Sequence, residues 1–139
     1  MIVVDASIIV KWLKSDEADS DKAREIYDNH KKGTHEIIVP ELVFIEVANY
    51  LVTKSRSTSK QIRKLLDFLS SSNINIHRFE QKDLFEAASL SKECKTTVYD
   101  MLYAVIAKRH KIVLVTADER FVRVTRFPFV KLLSEFDTA

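Results

Sequence analysis

Glycine is nearly absent from this sequence: among 139 residues there is one, Gly33, alongside two prolines and one cysteine. Each scarcity excludes something. A Walker-type phosphate loop, a dinucleotide-binding Gly-x-Gly-x-x-Gly and a Gly-x-Ser-x-Gly nucleophile elbow all need at least two glycines, because backbone must approach a ligand or turn with positive φ. Collagen-like, Gly/Ser-linker and many-hairpin β architectures fall with them. The lone Cys94 forms no internal disulfide, which suits a reducing compartment such as the cytoplasm. The N-terminal stretch lacks the basic start and apolar run of a signal peptide. The apolar stretch from Val39 to Val52 is interrupted by Glu41 and Glu46, so no membrane span is expected. Chemistry in this chain must rest on side chains.

What is present is ordinary in bulk. Hydrophobic residues make up 46% and charged residues 30%, which suits a soluble globular chain, and the length favours one domain over residues 1–139. Lys and Arg number 22 against 20 Asp and Glu, a net charge of +2 that by itself argues for no polyanionic partner.

Periodicity predicts a helix-rich α/β alternation. Ile2-Val3-Val4 reads as a buried strand, followed by a helix from about Ser7 to Leu13. A helix with the stripe Ala23, Ile26, Tyr27 and His30 follows, closed by Gly33 in a left-handed cap. Ile37-Ile38-Val39 is a second strand, and Pro40 is expected to open the next helix at its first turn. That helix, about Glu41 to Thr53, is apolar nearly all round and is expected to be buried. Ser57 or Ser59 is expected to cap a helix carrying Ile62, Leu65, Leu66 and Leu69. A short strand at Ile74–Ile76, helices at about 81–93 and 99–108, a strand at Ile112–Val115, a helical turn near 119–123 and a strand around Phe129-Val130 complete the pattern. Strands separated by helices predict a parallel sheet with helices on both faces.

Most of the 20 acids fall on polar helix faces; four do not. Asp5 directly follows the first strand, and in open parallel sheets ligands bind at the carboxyl ends of strands. It also suits a helix N-cap. Glu46 sits inside Leu42-Val43-Phe44-Ile45-Glu46-Val47-Ala48-Asn49, where an ionised carboxylate needs a salt bridge, hydrogen bonds or a metal. Asn49, at i+3, shares its face. Asp100 starts a helix that is otherwise apolar through Ala107, a position that also suits the helix dipole. Asp118 leaves a strand end and also suits the N-cap of a short helix; Glu119 beside it is expected to face solvent.

Four carboxylates brought to one rim would repel one another and raise one another's pKa values. A divalent cation relieves that conflict, and Mg²⁺ or Mn²⁺ prefers oxygen ligands. The four histidines and Cys94 lack zinc-site spacing. A carboxylate cage holding one or two such ions suits phosphodiester hydrolysis.

These residues resemble the PIN-domain family, in particular the toxin ribonucleases of VapBC toxin–antitoxin pairs. The stretches concerned are Val3-Val4-Asp5-Ala6-Ser7, Glu46-Val47-Ala48-Asn49, Tyr99-Asp100 with Tyr103 and Ala104, and Thr116-Ala117-Asp118-Glu119-Arg120-Phe121. They stand in family order from residue 3 to 121. The resemblance implies a three-layer α/β/α sandwich and an Mg²⁺-dependent endoribonuclease, with Asp5, Glu46, Asp100 and Asp118 as the acidic metal site. By the same resemblance Ser7, Asn49 and Thr116 are supporting polar groups. It further implies inhibition by a cognate VapB-like antitoxin and a homodimer.

Charge supports a phosphate-bearing substrate. Without those four acids the chain has 22 basic residues against 16 acidic ones, a balance of +6. Lys54, Arg56, Lys60, Arg63 and Lys64 form a run without an acid, which is either an RNA contact or a solvated helix face. Arg120, Arg123, Arg126 and Lys131 interleave with Phe121, Phe127 and Phe129, which are expected to serve the core and not to stack on bases. Two other α/β classes, a phosphate enzyme and a phosphate-accepting switch, meet obstacles. A haloacid-dehalogenase-type phosphatase wants a second Asp where Ser7 stands, and a response-regulator receiver wants Asp after a middle strand, where His77 stands. An RNA-processing PIN nuclease and a non-enzymatic RNA- or protein-binding domain with structural carboxylates remain open.

Overall fold

The computed structural model describes residues 1–14 and 16–139. In chain order the elements are β1 (Ile2–Val4), α1 (Ala6–Leu13), α2 (Ser20–Lys31), β2 (Ile37–Pro40), α3 (Leu42–Thr53), α4 (Ser59–Ser70), β3 (Asn75–His77), α5 (Gln81–Cys94), α6 (Val98–His110), β4 (Val113–Thr116), α7 (Glu119–Thr125) and β5 (Val130–Leu132), then a 3₁₀ turn at Leu133–Glu135. The strands form one sheet in the order β3-β2-β1-β4-β5, and every neighbouring pair is parallel. Val/Ile-rich strands of three or four residues supply the inner core, with Val3, Val4, Ile37, Val39 and Val115 fully buried. One helical layer is built on α1, which packs on β1 and β4 and carries α2 and α3 against it. On the other face α6 covers β1, β2 and β4 and is itself covered by α5, so its residues Met101–Ala107 are buried all round. This is the expected α/β/α sandwich. No helix among the described residues is long and apolar enough to cross a membrane.

The helices and strands lie within two residues of the expected bounds, with three differences in detail. Pro40 does not open α3; it ends β2, opposite His77 of β3. Its missing N–H costs nothing on the β1 side, where pairing stops at Val3 and Ile38. The cap of α4 is Thr58, not Ser57 or Ser59: Gln61 N donates to its hydroxyl at 3.2 Å, and its own N–H donates to Gln61 Oε1 at 2.8 Å. Only position 58 stands three residues before a glutamine able to close that box. Finally, α3 is not buried all round. Val43, Val47 and Leu51 face the core, whereas Ile45 and Val52 are 69% and 66% exposed.

Gly33 ends α2 as expected, with φ +74°. Its N–H donates to His30 O and that of Thr34 to Asn29 O, the paired bonds of a Schellman closure. Yet scarcity of glycine is not scarcity of left-handed turns: Asp19, Asn73, Lys95, Lys111 and Arg126 all adopt positive φ. Three of these, Lys95, Lys111 and Arg126, close α5, α6 and α7.

Candidate active site

The strand order reverses between β1 and β4, which makes their carboxyl ends the topological switch point where open α/β sheets bind ligands. Val4 pairs with Val115, so Asp5, just past the end of β1, stands beside Thr116, the last residue of β4. Asp5 caps α1, accepting from Ser7 N at 3.1 Å, and both its oxygens are held by hydroxyls: Ser7 Oγ donates to Oδ1 and Thr116 Oγ1 to Oδ2. Those hydroxyls are oriented from behind. Ala117 N donates to Ser7 Oγ at 3.0 Å and Asp118 N to Thr116 Oγ1 at 3.1 Å. Each hydroxyl therefore accepts from backbone and points its own proton at Asp5. Asp118 caps α7 through Phe121 N at 3.0 Å.

Two helices, α3 and α6, complete the site. Glu46 projects from α3, and its partner is neither Lys nor Arg but the buried Tyr103 of α6, whose hydroxyl donates to Oε1 at 2.6 Å. Asp100 stands in the first turn of α6, its N–H donating to the capping Thr97 hydroxyl at 3.2 Å. Asp5, Glu46, Asp100 and Asp118 line one cavity of about 380 Å³, together with Ser7 and Asn49. Thr116 is fully buried behind it and acts on the site through Asp5.

The electrostatics of this cavity are those of acids without directly paired cations, although Lys11 and Lys54 also line it and the Arg120 charge acts on Asp100 from a distance. Among the described residues none of the four makes an ion pair. Burial pushes Asp5 up to about 6, against the opposing bonds from Ser7 and Thr116 and with help from the Asp100 charge. Burial also raises Glu46, again with Asp100 contributing, and raises Asp100, to which Asp118 adds. Burial beside Glu46 raises the Tyr103 phenol far above its usual range, which keeps it a donor.

A hard divalent cation fits this donor set, because it supplies the paired positive charge that the four acids lack among the described residues. The spacing is looser than a finished cage: among the described residues no three His, Cys, Asp or Glu side chains are grouped so as to hold a metal ion. The carboxylates share the cavity without forming such a group, and two of them, Asp5 and Asp118, also cap helices.

The basic run is only partly at the site. Lys54 lines the cavity, whereas Arg56, Lys60, Arg63 and Lys64 are exposed along the α3–α4 connection and α4 and do not line it. Phe121 is buried, and Phe127 stacks on Phe129 against the core, so these rings serve packing as expected. Glu119 is exposed. Sequence reasoning missed Lys11, Glu17, Tyr50 and Thr53, which also line the cavity. Helical spacing carried part of the signal: Tyr50 and Thr53 stand four and seven residues after Glu46, and Lys11 four after Ser7.

Similar arrangements occur in known structures. PAE2754 from Pyrobaculum aerophilum superposes with a TM-score of 0.72 at 22% identity, over 96% of this chain and 83% of that one. VapC20 of Mycobacterium tuberculosis, a sarcin-ricin loop cleaving toxin, gives 0.70 at 12% identity, over 94% and 97%. VapBC2 from Rickettsia felis, bound to a DNA fragment from its promoter, gives 0.69 at 24% identity, over 95% and 98%. At these identities the likeness shows the fold. No curated protein matches the chain. The PIN domain family matches over residues 2–126, a span that takes in every residue lining the cavity, and the chain belongs to that family.

Proposed function

We propose that the protein is a metal-dependent endoribonuclease, a single catalytic domain that acts as the toxin of a type II toxin–antitoxin pair. The observation that carries this reading is the gathering of Asp5, Glu46, Asp100 and Asp118 around one cavity with no Lys or Arg among the described residues paired to them. Membership of the PIN domain family supports it, as does likeness to an RNA-cleaving toxin and to toxin–antitoxin complexes.

In this reading the four carboxylates hold Mg²⁺ or Mn²⁺, which supplies a Lewis acid for the phosphoryl group and makes water a better nucleophile. The remaining work belongs to the chain. Ser7 and Thr116 fix both oxygens of Asp5, and Tyr103 fixes Glu46, so these carboxylates do not reorganise during the reaction. A cavity carboxylate would accept the proton of the attacking water as the water oxygen bonds to phosphorus, and the bridging P–O bond would break with its oxygen leaving on the other RNA fragment and taking a proton from solvent. Asn49, beside Glu46 on the cavity wall, offers an amide to the bound strand. A VapB-like antitoxin and a second copy of the chain are the partners of this reading. An RNA-processing PIN nuclease would use the same cavity and differ only in substrate.

The test is cleavage of an RNA pool by the purified protein, freed of inhibitor, with Mg²⁺ or Mn²⁺ and with EDTA. Cleavage that needs the ion and disappears in folded Asp100→Asn supports the reading. Folded wild-type protein that cuts nothing with either ion overturns it. Growth arrest on expression, relieved by a neighbouring gene's product, separates the toxin from the RNA-processing enzyme.

A further inference from the structure

Two lysines line the carboxylate cavity, and they are held very differently. Lys54 closes α3 as an exposed side chain. Lys11, in the last turn of α1, is only 8% exposed. A lysine so withdrawn from water needs partners. It has two: the Ala18 carbonyl at 2.7 Å and Glu17 Oε2 at 3.4 Å. An ammonium group has three donors, so a third remains for the cavity that Lys11 lines.

Glu17 is itself anchored. Its Oε1 accepts from the Tyr50 hydroxyl at 2.6 Å, a bond that is the main reason the Tyr50 phenol is pushed up to about 12 and stays a donor. The sequence Lys11–Glu17–Tyr50 thus ties α1 to α3 along the cavity wall. Lys11 follows Ser7 by one helical turn, on the side of α1 that also orients Asp5.

An RNA strand entering this cavity brings phosphates towards four carboxylates. A fixed cation beside them offsets the repulsion, and a lysine already immobilised loses little rotamer freedom when it binds. We infer that Lys11, positioned by Ala18 and by the Glu17–Tyr50 pair, is a phosphate-docking residue that receives a backbone phosphate of the RNA strand beside the carboxylates. This inference rests on the ribonuclease reading and adds a binding group to it.

The experiment is fluorescence anisotropy of a short labelled single-stranded RNA, in EDTA and over a range of KCl concentrations. The full chain is compared with Lys11→Met, Lys11→Gln, Lys11→Arg and Lys54→Met, and thermal melting checks that each is folded. Lys11→Met weakens binding about tenfold or more, as loss of a charged contact does. It also lowers the slope of log affinity against log salt by about 0.7, the value for one phosphate contact on a single strand. Lys11→Gln, which keeps a donor for Ala18 without the charge, behaves as Lys11→Met does. Lys11→Arg restores affinity and slope, and Lys54→Met changes both less. A purely structural Lys11 would alter the melting temperature and leave the salt slope alone. Wild-type protein that cleaves RNA, with folded Lys11→Met or Lys11→Gln matching its affinity and slope, overturns this inference alone. Wild-type protein that neither binds nor cleaves RNA overturns the ribonuclease reading as well.

Discussion

Asp5 is a half-buried carboxylate and Asp83 a fully buried one, and their surroundings are opposite. Asp83, on α5, is 1% exposed and lies among cations and donors. Its Oδ2 accepts from Glu80 N at 3.0 Å and meets His77 Nε2 at 3.1 Å; Arg109 Nε stands 2.6 Å from Oδ1 as an ion-pair contact without hydrogen-bond alignment. Burial alone would raise its pKa, but the Glu80 N–H, His77 and Arg109 outweigh it and hold the carboxyl below its usual range. Asp5 has hydroxyls and an N–H but no cation, and the Asp100 charge helps to push it up to about 6. Asp83 is the less exposed of the two and is nevertheless the one held low, so the counter-charge and not exposure sets the direction. A buried acid with its cation is an ordinary part of a fold, whereas a group of acids left without one is poised to take up a cation from outside.

The sharpest way to break this comparison is to neutralise both kinds of acid. Asp5→Asn and Asp100→Asn each lower RNA cleavage by about 100-fold or more, the scale of a lost acid–base or charge-stabilising group. Asp100→Asn keeps or raises the melting temperature, since it removes a charge the fold disfavours; Asp5→Asn does so less, because its amide nitrogen cannot accept the hydroxyl bond that one Asp5 oxygen receives. Asp83→Asn does the reverse: it costs about 2–3 kcal/mol in denaturant unfolding, because Arg109 and His77 lose their anion. Cleavage by folded Asp83→Asn stays at the wild-type level.

Acid titration of stability separates the two regions without touching activity. Asp5 binds its proton more tightly in the folded chain, so its contribution rises as pH falls from above about 6 towards the unfolded value of 3.8. Glu46 and Asp100 act in the same direction. Asp83 binds its proton less tightly when folded, so its contribution is present above 3.8 and is lost as pH falls further. The melting temperature should therefore pass through a maximum in mild acid. Asp5→Asn flattens the rise on the neutral side, and Asp83→Asn flattens the fall on the acid side. A profile unchanged in both variants would contradict the contrast drawn here.

The smallest effect concerns the backbone behind Asp83. Lys111 closes α6, the helix that carries Arg109, with φ +56°. Lys111→Gly relieves that left-handed residue and gains about 1 kcal/mol or less in the same unfolding measurement.

The legibility of these residues differs for a physical reason. Asp5 and Asp118 were readable because the apolar runs before them declare strands, and parallel strands gather their carboxyl ends. Glu46 was readable because its helix is apolar on both sides of it. Asp83 looked like one more acid on a polar helix face, Gln81-Lys82-Asp83. Its burial is created by His77 on β3 and Arg109 on α6, which no local pattern announces. Lys11 and Tyr50 meet through Glu17, and only the packing of α1 against α3 brings them to one wall. The surface of α3 was misjudged for the same reason, since hydrophobicity names residues able to be buried and not the neighbours that bury them.

By itself the sequence determined the α/β alternation, and it placed an acid after two strands and inside two apolar helices. It also determined that side chains, not glycine-lined backbone, carry the chemistry. Only the tertiary structure decided which acids meet a cation and which face one another across a cavity. Periodicity is set by neighbours a few residues apart, whereas charge compensation depends on partners that the fold brings in from far along the chain.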